Sequence, residues 1–217
     1  MKKPTVIRPA EGRLAVLLPG LGAVATTAIA GVFLARRGLG EPVGSLTQMG
    51  TIRLGPRKSA RAPRIAEFLP LARMDDIAFG GWDIFEDDAY QSAIAANVLE
   101  RHHLDAVKEE LSRVTPMAAV FDPAYVRKLD GRHVKRGRTK ADLVEQVRED
   151  IRTFVQQNGC SRAVAVWCGS TEVYLEPSRV HESVRAFEEG LRANDPGISS
   201  SQIYAWACLK VGVPFAN

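Results

Sequence analysis

Short apolar runs alternate with segments of helical period along this chain. The longest run comes first: residues 14–35 carry no charged side chain. Its length suits a bilayer span, which needs about 20 mainly apolar residues. A secretory signal is a second reading, helped by Lys2, Lys3 and the small residues at 28–31. A third reading uses what the other two must tolerate. Residues 14–18 suit a buried strand, Pro19 ends it, and residues 26–37 follow as a helix stopped by Gly38. Between them Gly20-Leu21-Gly22-Ala23-Val24-Ala25 fits G-x-G-x-x-G/A. Strand, tight turn and helix form the context in which that pattern marks a phosphate-binding turn. The first glycine allows the turn, the second lets backbone approach a pyrophosphate, and the small third residue lets helix pack on strand. Amides at the helix start attract phosphate. A proline and two glycines near the front of a membrane helix are costly, and Glu11 and Arg13 sit badly ahead of a signal's apolar region. The nucleotide-binding reading is preferred, and no membrane association is expected.

Downstream, residues 42–47 suit a short second strand, and 50–70, rich in Pro, Gly and Arg, read as a surface arm. Residues 76–79 with the following GGWDIF read as a strand ending in a glycine turn. Residues 87–114 have helical period with a break near 102–105, and 117–121 suit another strand. Residues 139–157 predict a strong helix: Thr139 can cap it, Leu143, Val147, Ile151, Phe154 and Val155 form its stripe, and Gly159 stops it. A buried strand at 163–167 precedes helices at 178–193 and 199–211, the last capped by Ser199 or Ser200 and stopped by Gly212. This alternation predicts an α/β fold, a Rossmann-like doubly wound parallel sheet with helices on both faces. Ligands in such sheets bind beyond the carboxyl ends of the strands. That places loops 20–25, 80–83 and 168–172 on one edge. Residues 1–12 read as a polar lead and 13–217 as one nucleotide-binding domain.

Composition changes this picture little. Hydrophobic content of 46% and charged content of 25% are ordinary for a soluble globular protein. Cys160, Cys168 and Cys208 have no C-x-x-C spacing, which argues against a disulfide framework or cysteine zinc site and for a reducing cytoplasm. The net charge of +4 gathers in two basic clusters, one spanning Arg53 to Arg64 and the other Arg127 to Lys140. Solvated loops are the plain reading, with attraction of anionic ligands the second. No aromatic interleaving or helix-turn-helix pattern supports nucleic acid. His102 and His103, adjacent on a helix, are expected on different faces, so no metal constellation is expected. One departure stands out. The fingerprint usually places an acid about 20 residues after the glycines; here that region is VGSLTQMG, without one. The nearest candidate is Asp83, whose plain reading is a turn or helix-cap aspartate.

Five stretches taken together are more specific than the glycine turn: LLPGLGAVATT (17–27), GSLTQMGTIRLG (44–55), FGGWDIF (79–85), VWCGSTEVYLEP (166–177) and GVPFAN (212–217). In this order they resemble the inositol-3-phosphate synthase (myo-inositol-1-phosphate synthase) family of bacterial type. The resemblance implies an NAD-dependent isomerase that converts glucose 6-phosphate to inositol phosphate. It places Gly20, Gly22, Ala23 and Val24 against the pyrophosphate and Asp83 on a ribose. Ala119 and Val120 fall at an adenosine- or ribose-contacting strand end, and Cys168, Gly169, Ser170 and Thr171 near the cofactor. Trp167 and Glu172 match the family's W-T-A-N-T-E pattern directly, while Ala23 and Val24 replace residues with amide side chains. Family members continue into a catalytic domain that builds a homotetramer. The chain is therefore expected to be a cofactor-binding part truncated before that domain, cytoplasmic, and inactive by itself. A standalone dinucleotide-binding module without turnover is the alternative.

Overall fold

Strand β1 (Arg13–Pro19) occupies the centre of a five-stranded sheet in the computed structural model of the chain, which describes residues 11–59 and 61–217. Its neighbours are β2 (Ile77–Asp83) on one side and β4 (Cys160–Val166) on the other. Outside them lie β3 (Met117–Ala118) and β5 (Phe215–Ala216), giving the order β3-β2-β1-β4-β5 with every pairing parallel. The apolar run of β1 follows from this position, because a central parallel strand is buried on both faces. Ala15 and Leu17 face one core, while Val16 and Leu18 face the other.

Helix α1 (Ala23–Arg36) covers one face. Its Ile29, Ala30 and Phe33 pack with Leu104, Val107 and Leu111 from around the short helices α5 (Arg101–Asp105) and α6 (Lys108–Ser112). Helix α4 (Ala89–Ala96) completes that layer and ends at Asn97, whose positive φ of 51° breaks the helical run earlier than the expected 102–105. The opposite face carries α7 (Lys140–Gln157) and α9 (Ser200–Lys210), with Val147, Ile151, Tyr204 and Ala207 fully buried against Leu17 and Trp82. Close approach of α7 requires glycine in β2: a Cβ on Gly80 would enter the Phe154 ring. Lys140 anchors the start of α7. Its Nζ donates to Tyr125 Oη at 2.7 Å and to the carbonyls of Asp195 at 2.7 Å and Ile198 at 2.6 Å, and burial lowers its pKa.

The predicted α/β class and parallel sheet are observed, with several local corrections. No strand forms at 42–47; Leu46–Met49 is a single helical turn, α2, with Val43 and Leu46 exposed rather than buried in a sheet. Residues 80–83 are not an edge loop but the second half of β2, so Asp83 closes a strand. The strand expected at 117–121 pairs regularly only at Met117–Ala118; Ala119 makes an isolated bridge to Val134. The helix expected from 178 begins with a 3-10 turn and becomes α8 only at Val184–Ala193. Strand β5 was not anticipated, being two residues long. The arm between α1 and β2 holds α2, the turn α3 (Ile65–Phe68) and antiparallel bridges Thr51–Arg64 and Leu54–Arg61. Arg36 ties its return to the sheet through the carbonyls of Met74 and Ile77. The first ten residues of the polar lead lie outside the described residues. Among the described residues, no helix is long and apolar enough to cross a membrane.

The start of α7 matches the reading of Thr139. Its hydroxyl accepts from the Asp142 amide at 3.2 Å, while the Asp142 carboxylate takes the Thr139 amide at 3.1 Å and the Arg138 amide at 2.9 Å. These amides hold the Asp142 carboxyl below its ordinary pKa. Thr139→Ala is expected to lower unfolding free energy by about 1 kcal/mol, the usual worth of a side-chain cap, read from urea denaturation curves.

Candidate functional site

Three chain segments meet beyond the carboxyl ends of β1, β2 and β4. Gly20 turns the chain with φ 93°, and its amide donates to the Trp82 carbonyl at 2.8 Å. The Cys168 amide donates to the Pro19 carbonyl at 2.9 Å, which brings the loop after β4 against the turn. A Cβ on Gly20 would lie 2.6 Å from both Cα and N of Gly169. Glycine is required there by conformation and by space. Gly22 differs: it is the N-cap of α1 with φ −79°, and a Cβ on it would meet nothing within 4 Å.

The start of α1 has no side-chain cap and no acid in its first turn. Its first amides therefore lack intrahelical acceptors and present the positive end of the helix dipole. Asp83 closes the opposite side of the turn. Its Oδ2 accepts from the Leu21 amide at 2.7 Å and its Oδ1 from the Phe85 amide at 3.2 Å. His133 Nδ1 lies 3.1 Å from the Asp83 carbonyl and braces the same strand end.

The result is a cleft of about 340 Å³. Of the residues assigned to the cofactor, Gly20, Gly22, Ala23, Asp83, Ala119, Val120, Cys168, Gly169 and Ser170 line it. Val24 and Thr171 do not: the Val24 side chain is 69% exposed, and Thr171 is also exposed. The floor is aromatic. Trp82, fully buried, lies 5.1 Å from the Tyr204 ring, and Trp167 lies 5.8 Å from the same ring. Trp82 Nε1 donates to Asp150 Oδ2 at 2.6 Å, and that oxygen also pairs with the nearly buried Lys135 ammonium at 2.6 Å. Sequence reasoning passed over Trp82 as a wall, and Phe85, Ser92 and Tyr204 altogether. Helix α9 carries apolar residues all round, so no stripe in the sequence marks Tyr204 as the one that reaches a strand end.

Glu172 lines the cleft but is committed elsewhere. Its Oε2 accepts from Ser199 Oγ at 2.6 Å and Ser201 Oγ at 2.5 Å, and its Oε1 from the Ser201 amide at 3.0 Å. It caps α9 and ties the loop after β4 to that helix. Burial raises the Cys168 thiol pKa, so this residue packs rather than attacks. Among the described residues, no Lys, Arg or His lines the cleft. The His102 and His103 rings lie 4.0 Å apart instead of on separate faces. Among the described residues, no three His, Cys, Asp or Glu side chains could share a metal.

Gly20→Ala is expected to cost about 3 kcal/mol, from a strained φ and a backbone clash. Gly22→Ala should stay within about 0.5 kcal/mol of the parent, as open surface positions do. Paired urea curves check the contrast.

Comparison with known proteins agrees with this geometry. The NAD-binding family model of myo-inositol-1-phosphate synthase matches residues 14–217. Inositol-3-phosphate synthase 1 of Bacteroides thetaiotaomicron is 44% identical over 211 residues, covering 96% of this chain and 48% of the relative. Inositol-3-phosphate synthase 1 of Oryza sativa subsp. japonica is 32% identical over 222 residues, covering 94% of this chain and 43% of the relative. The crystal structure of inositol-3-phosphate synthase from Caenorhabditis elegans superposes with a TM-score of 0.87 at 24% identity, over 97% of this chain and 44% of that one, a likeness of fold. The chain thus spans about half the length of these relatives. With a match over nearly its whole length, from the strand before the glycine turn onward, the chain belongs to the myo-inositol-1-phosphate synthase family.

Proposed function

We propose that this chain is the NAD-binding part of an inositol-3-phosphate synthase, an enzyme that isomerises glucose 6-phosphate to inositol phosphate. One observation carries the reading: the uncapped start of α1, the open side of Gly22 and the Asp83 carboxylate all border one cleft. A dinucleotide needs those three features, an anion site, room for backbone approach and an acid for ribose hydroxyls. When bound, NAD supplies the oxidation of the sugar and its later reduction, so the net chemistry is an isomerisation.

The chain's own residues bind and orient. The backbone amides of Gly22, Ala23 and Val24 are assigned to the pyrophosphate, since Ala23 and Val24 have no polar side chain to offer. Asp83 keeps acceptor capacity beyond its bonds to Leu21 and Phe85, because a carboxylate has about four lone-pair sites. Those sites take ribose hydroxyls, and the negative charge disfavours a 2′-phosphate. Ala119 and Val120 border the adenosine half. Cys168, Gly169, Ser170 and Thr171 belong to the loop that α9 holds in place through Glu172. The aromatic floor excludes water beneath the ligand.

Enolisation of the sugar needs a base and a cation for the developing oxyanion. Neither a basic side chain in the cleft nor a free Glu172 is at hand among the described residues. Those groups are assigned to the remaining length of the family's proteins, with the tetrameric assembly and a cytoplasmic setting following from the same resemblance. A dinucleotide-binding module without turnover stays the second reading, on the same lack of basic groups.

Titration with NAD, followed by fluorescence of Trp82 and Trp167, tests the reading. Saturable binding is expected, and its failure would overturn the assignment. Gly22→Asp puts a carboxylate where phosphate should lie and is expected to weaken binding about 100-fold or more. Its urea midpoint should not fall, because the site is open and Asp suits the N-cap of α1. These 217 residues by themselves are expected to bind NAD and form no inositol phosphate. Detectable inositol phosphate would place the acid–base groups within this chain.

A further inference from the structure

Among the four tyrosines, three place their hydroxyl protons on described acceptors. Tyr90 donates to Asp105 Oδ1 at 2.5 Å, Tyr125 to the Pro196 carbonyl at 3.0 Å and Tyr174 to Glu176 Oε2 at 3.4 Å. Tyr204 is the most buried, at 1% exposure, and it is the one that lines the cleft. Its oxygen accepts from the Val120 amide at 2.8 Å. Its own proton has no acceptor among the described residues. A hydroxyl is both donor and acceptor, and a buried donor left unmatched is costly. The Trp82 and Trp167 rings both pack against the phenol, at 5.1 and 5.8 Å, and its 1% exposure keeps it from bulk water. Burial also pushes the phenol pKa up, which keeps the proton in place as a donor.

The position of the hydroxyl narrows its partner. Val120 follows β3, the strand outside β2, and Asp83 ends β2. The sheet order sets this side of the cleft apart from the β4–β5 side. In the proposed reading it is the adenosine side, and Asp83 there accepts hydrogen bonds from ribose hydroxyls. A hydroxyl that donates to Asp83 keeps lone pairs on its oxygen. We infer that the Tyr204 hydroxyl donates a hydrogen bond to a ribose hydroxyl oxygen on the adenosine half of the bound dinucleotide. The inference rests on the NAD reading and adds a binding residue to it. Tyr204 then joins ligand and strand end: its oxygen accepts from the Val120 amide and its O–H donates to the ribose oxygen.

The test compares the wild-type chain with Tyr204→Phe, using NAD, AMP, 2′-deoxy-AMP, 3′-deoxy-AMP and NMN as probes. Loss of one hydrogen bond should weaken NAD and AMP about three- to tenfold. NMN, the nicotinamide half, should bind both proteins alike. For one of the two deoxy nucleotides the difference between the proteins should vanish, since the accepting oxygen is already gone. Unchanged affinity for AMP in a folded Tyr204→Phe chain would overturn the inference. So would an equal loss for AMP and both deoxy analogues, the signature of a purely structural effect through Val120. A wild-type chain that binds neither NAD nor AMP overturns the cofactor reading itself, and this inference with it. Should the variant fail to fold, the wild-type phenol proton decides by NMR: it must move downfield with AMP and not with NMN, and an unmoved signal refutes the contact.

Discussion

The hydrogen bond from the Leu21 amide to Asp83 Oδ2, at 2.7 Å, is the contact on which the site depends. It spans the gap between the turn after β1 and the end of β2. It holds the turn in the one position where the first amides of α1 open onto the cleft. Gly20 can occupy that position only because it has no side chain, since a Cβ there would run into the backbone of Gly169. The carboxylate thus holds the turn and borders the cleft at once. A charge-assisted bond to backbone is stronger than a neutral one, and here it fixes the geometry before any ligand arrives.

Much of the sheet was legible in the residues. The apolar run of β1, the glycine turn and the stripe of α7 each follow from local pattern, and each is observed. Only the family resemblance singles out Asp83 as a candidate ribose acid. By spacing alone it lies some three times too far from the glycines. The structure removes the anomaly: the arm is inserted between α1 and β2, and β2 still pairs beside β1. The acid therefore ends the same strand as in a compact βαβ unit, and only the count of residues differs. Chain closure costs rise slowly with loop length, so such an insertion leaves the spatial relation intact.

Other misses have physical causes too. Residues 42–47 mix apolar with other positions, but Pro42 and Gly44 disfavour a strand and Val43 and Leu46 find no core. Strand β3 stops early because the chain after it turns to pair with Val134. Glu172 matched a family motif, yet its use as a cap for α9 depends on serines about 30 residues later in the chain. Tyr204 shows the same limit. Helix α9 has no clear apolar stripe to say which way this residue faces, and its hydroxyl meets Val120, which is 84 residues away.

The central place of β1 has a consequence for how the molecule is made. Leu14 pairs with Ile77 on one side and with Arg162 on the other. During synthesis the most apolar strand emerges first, and its second neighbour comes about 150 residues later. At about 5–20 residues per second that interval is roughly 8–30 s. Throughout it one edge of β1 has no native partner. Non-local parallel pairing is slow in any case, so this protein spends its early life with its least soluble strand half-paired and in need of protection from its neighbours.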